Sequence, residues 1–98
     1  MSFEQALSTT LAAAVGDDQA LVAELRVAFL ESASRHFEAM RRASSEADWS
    51  EAALRLKGLA ASFGATALMA EADRAASTRR GDPAALADLE RSLAILSL

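Results

Sequence analysis

Between Leu21 and Met40 the apolar side chains fall at Leu21, Val22, Leu25, Phe29, Ala33, Phe37 and Met40, at steps of three, four and seven residues. That is the period of one face of an α-helix, not the two-residue alternation of a strand. A helix with so long an apolar stripe has to be covered by something, and 98 residues allow one core but not two. The rest of the chain offers helices as the cover. Alanine and leucine dominate, both strong helix formers, while β-branched residues are scarce and there is a single proline. The expected class is all-α, in one domain spanning residues 1–98.

Helix boundaries can be read from capping chemistry. Ser2, with Gln5 three residues on, opens a short helix through Leu7, Leu11 and Ala14 that stops near Gly16. Asp17 or Asp18 then caps the long second helix, and the polar stretch Ser44-Ser45-Glu46 ends it. Asp48, with Glu51 three residues later, is the expected cap of a third helix through Leu56, Leu59 and Phe63 to Gly64. A fourth runs from Ala65 through Leu68, Ala72 and Ala75 and is expected to end at Arg79-Arg80-Gly81, cations then glycine. Asp82-Pro83 supplies a cap and a first-turn proline for the fifth, which carries Leu86, Leu89, Leu93 and Leu96. Short connections between these helices predict an up-down-up-down four-helix bundle with a short extra N-terminal helix.

Composition excludes several classes of function. Apolar residues are 52% and charged residues 24%, the balance of a folded chain. No apolar run approaches the roughly 18–20 residues that cross a bilayer. Met1-Ser2-Phe3-Glu4 lacks the basic start and apolar block of a signal peptide, so a cytoplasmic location is expected. There is no cysteine, hence no disulfide or thiolate metal site. A net charge of −4 argues against general affinity for nucleic acid or anionic membrane, and favours a protein partner. No phosphate loop, nucleophile elbow or carboxylate pair is present, so neither an enzyme nor a cofactor is expected.

One position breaks the pattern of the third helix. With Leu54 at zero on a wheel of about 100° per residue, Leu56, Leu59 and Phe63 fall near 200°, 140° and 180°. They form the expected buried stripe, flanked by Ala52 and Ala60. Leu54 falls on the opposite side with Lys57, Gly58 and Ala61, so a leucine occupies the middle of the face that should meet water. Single exposed leucines are common and need no function. Gly58 adds to the case, since a mid-helix glycine costs up to about 1 kcal/mol relative to alanine. Such a glycine keeps a surface low for something to approach.

The run Ala53-Leu54-Arg55-Leu56-Lys57-Gly58-Leu59-Ala60-Ala61-Ser62-Phe63-Gly64-Ala65 resembles the signature of histidine phosphotransfer domains, roughly A-H-x-L-K-G-x-A-x-x-x-G-A. Phe29-Leu30-Glu31 with Phe37 and Met40, then Asp48-Trp49, then Gly81-Asp82, extend the likeness from about Leu21 to Leu96. The resemblance implies a bundle in which an exposed histidine exchanges a phosphoryl group with the aspartate of a receiver domain. The departure is at Leu54, which stands where that family carries the histidine. A phosphoryl acceptor needs a nitrogen lone pair, and leucine has none. What the resemblance leaves is a docking surface: Leu54, Arg55, Lys57 near where a phosphoryl group would lie, Gly58 making room for the receiver, and Ala61.

His36, the only histidine, does not replace the missing one on this pattern, because Ala39 and Met40 hold the places of the lysine and glycine. Its expected state is packed at the edge of the stripe with its polar tip outward. The acidic residues follow no metal-loop spacing, so no metal is expected. The pairs Arg41-Arg42 and Arg79-Arg80 read as helix-end cations, or as a basic rim steering an acidic receiver. Three functions remain open at this point. The chain could dock a receiver domain or sensor kinase without carrying phosphate. It could belong to a working relay with residue 54 altered in this version of the chain. It could be a helical scaffold that self-associates through the Leu54 patch.

Overall fold

A computed structural model describes residues 18–98. The short helix expected from Ser2 to Gly16, and Asp17 with it, lie outside the described residues. The described residues form four helices and no strand: α1, Gln19–Arg41; α2, Glu46–Ser62; α3, Thr66–Ala76; and α4, Pro83–Leu96. No helix among them is long and apolar enough to cross a membrane. α2 packs on α1 and α3, and α4 on α3 and α1, so the four close around one core in a helical bundle.

Asp18 caps α1, its carboxylate accepting from the Leu21 amide at 3.0 Å. The helix buries Val22, Phe29, Ala33, Phe37 and Met40, the stripe its sequence period marks. α2 differs from the expectation at its start. Ser45, not Asp48, is the cap, with its hydroxyl accepting from the Asp48 amide at 3.0 Å. The earlier start is held by that hydroxyl taking an otherwise free first-turn amide, and it makes Trp49 the fourth residue of the helix rather than its first. That indole is fully buried, and its N–H donates to the Ala75 carbonyl at 2.8 Å, tying α2 to α3. A large buried side chain with its one polar atom satisfied is a strong anchor.

The end of α2 is a Schellman turn. Gly64 takes φ +72°, the Ala65 amide donates to the Ala60 carbonyl at 2.9 Å and the Gly64 amide to Ala61 at 3.3 Å. α3 is shorter than its sequence reading. It stops at Ala76, with Arg74 the cation of its last turn, so Arg79 and Arg80 do not end it. Arg80 serves another purpose: its amide donates to the Glu46 carboxylate at 2.8 Å and its guanidinium to the Ala43 carbonyl at 3.3 Å. The α3–α4 connection is thereby fastened to the start of α2. Asp82 caps α4 through the Ala85 amide at 2.9 Å, with Pro83 in the first turn as expected.

The buried face of α2 is also rotated from its expected centre. Trp49, Ala52, Ala53, Leu56 and Ala60 are buried, whereas Leu59 and Phe63 are only partly covered. Phe63 still contributes by leaning on Phe29, ring centroids 4.9 Å apart. On the wheel the buried centre lies near 215°, so the direction opposite, near 35°, passes through Gly58 and beside Leu54.

Candidate docking face

The site is the outward strip of α2. Leu54 is 50% exposed, one of four large apolar side chains so exposed among the described residues, and the only one of the four on α2. Arg55, Gly58 and Ala61 are exposed and Lys57 is half-buried, so the five residues singled out in the sequence do lie on or beside one strip. The fold turns this strip outward because Trp49, Leu56 and Ala60 hold the other side of the helix in the core.

Gly58 is the most informative of the five. A Cβ placed there meets nothing within 4 Å among the described residues outside its own stretch of helix. Its small size is therefore not needed to let another part of the chain come close. The surface around it is low: the Ser62 hydroxyl folds back to donate to the Gly58 carbonyl at 3.0 Å, and Ala61 adds only a methyl group.

Charged groups stand on both flanks. Arg55 donates to the Glu51 carboxylate at 2.7 Å, one turn back on the same helix. Lys57 reaches across to α3 and donates to Asp73 at 2.8 Å. The Glu51–Arg55 spacing of four is legible in a sequence. Asp73 is the functional neighbour that sequence reasoning missed, since no local spacing links residues on different helices.

His36 is half-buried on α1 and lines a shallow depression of about 270 Å³ with Ala39, Arg42, Glu51 and Arg55. Burial, and then the charges of Arg55 and Arg35, hold its imidazole below the usual histidine range. It is thus neutral at neutral pH, beside the strip rather than on it. No group of three or more His, Cys, Asp or Glu side chains placed to hold a metal occurs among the described residues.

Position 54 itself has only methyl and methylene groups to offer. The side chain at the centre of the strip supplies no atom that could accept a phosphoryl group. Comparison of the chain with models of known families, with curated proteins and with solved structures finds no match.

Proposed function

We propose that the chain is a phosphotransfer-like module of two-component phosphorelay signalling that docks the receiver domain of a response regulator, or a sensor histidine kinase, without carrying phosphate. On this reading the helices run up-down-up-down, preceded by a short N-terminal helix, and the protein works in the cytoplasm by occupancy. It masks a receiver, or competes with a true phosphotransfer protein for it. The observation that carries the reading is Gly58. A mid-helix glycine that costs stability, and that no other part of the described chain requires, is explained by a partner that approaches the helix closely. It lies one turn from an exposed leucine, within a run that resembles the histidine phosphotransfer signature.

The test is binding to a panel of receiver domains and kinases from the source organism, with Gly58→Trp as the control. A Cβ at Gly58 meets nothing within 4 Å and the position is exposed, so the variant should fold with helicity intact while its bulk on the strip abolishes binding. Leu54→His, tested on a receiver that binds, should gain an acid-labile phosphoryl group that the natural chain never accepts. A Gly58→Trp variant that binds as well as the natural chain would move the docking surface elsewhere. Loss of a dimer, rather than of a receiver complex, would favour self-association.

A further inference from the structure

The ammonium of Lys57 is the one cation that the resemblance sets against a phosphoryl group, and here it is matched by a carboxylate. Asp73 lies 2.8 Å from it, and the two side chains are 58% and 41% exposed, so the pair reaches the surface one helical turn after Leu54. The other cation of the strip, Arg55, is matched in the same way by Glu51 at 2.7 Å. Resting on the docking reading above, we infer that this face does not sense whether the aspartate of its receiver is phosphorylated. Asp73 cancels the attraction that Lys57 would exert on the added charge.

The physical argument is one of sign and distance. A phosphoryl group on a receiver aspartate adds negative charge over position 54. An ammonium one turn away would favour that state. A carboxylate oxygen within hydrogen-bond distance of the same ammonium meets the incoming charge from nearly the same place, with opposite effect. Leu54 contributes an apolar contact, which is indifferent to charge. Asp73 is exposed and Lys57 only half-buried, so the pair adds little to folding and Asp73 can be changed without loss of the fold.

A receiver's own change of shape on phosphorylation alters its affinity for any partner, so the informative quantity is how Lys57 changes the ratio of two dissociation constants. Receiver domains that bind the chain are titrated with magnesium alone and with magnesium plus beryllofluoride, which mimics the aspartyl phosphate. In the natural chain, Lys57→Met bares the Asp73 carboxylate and should shift the ratio away from the beryllofluoride form by roughly fivefold. In the Asp73→Asn background the lysine is released. There the ratio should shift towards the beryllofluoride form by roughly fivefold, the effect of a unit charge at about 4 Å in water, and Lys57→Met should abolish the shift. An Asp73→Asn variant with no shift would overturn the inference, as would a double variant whose ratio differs from that of the natural chain by more than about twofold. If no receiver binds in either state, the docking reading itself fails, and this inference with it.

Discussion

Leu54 and Leu56 are two residues apart on one helix and have opposite fates. Leu56 is fully buried, whereas Leu54 keeps half of its surface in water. Leu54→Asp should therefore change stability by no more than about 0.5 kcal/mol. Leu56→Ala should cost about 2–5 kcal/mol, the loss of a buried side chain plus the cavity it leaves. Urea denaturation of both variants measures this, and equal losses would mean that the faces of α2 are misassigned. The exposure of Leu54 was legible because 3.6-residue periodicity fixes direction on an isolated helix. The partial burial of Leu59 and Phe63 was not, since a wheel does not know where the neighbouring helices lie. Fully covered Ala53 and Ala60 mark that direction in the structure, and alanine is too ambivalent a residue to mark it in a sequence.

Asp48 with Glu51 is the cap expected for α2, whereas Ser45 reads as part of the polar stretch that ends the helix before it. In the structure the Ser45 hydroxyl holds the Asp48 amide instead, and the helix begins at Glu46. Trp49, near the start of that helix, bonds to Ala75 twenty-six residues away, a tie that no local signal reports. Ser45→Ala should accordingly cost about 1 kcal/mol, within the range for lost caps. Thermal unfolding checks this, and an Asp48→Ala variant serves as reference. Should Ser45→Ala be neutral while Asp48→Ala is costly, the helix would begin three residues later. The same reasoning explains α3. Arg79 and Arg80 look like a last turn in sequence, yet Arg80 is engaged with Ala43 and Glu46 across the bundle.

Across the described residues, the four helices and their order were readable, whereas the ties that close them were not. Arg26 on α1 donates to the carbonyls of Leu96 and Leu98 at 2.7 and 2.9 Å, joining the first described helix to the end of the last. Lys57 with Asp73 and Trp49 with Ala75 do the same between α2 and α3. Such pairs have no period, and only the packed chain brings them together. The same applies to the candidate face: its apolar centre and its glycine stand in the sequence, but the carboxylate that balances its lysine does not.

The placement of Trp49 gives the molecule a built-in optical probe. It is the only tryptophan, it has no exposed surface, and it lies on the side of α2 turned away from Leu54. Its emission should be blue-shifted in the folded chain and move to the red as urea admits water to the core. It should stay unchanged when a tryptophan-free partner covers the outer strip. Unfolding and docking can then be followed in one cuvette without confusion. A red shift on adding such a partner would instead report that binding opens the α2–α3 seam.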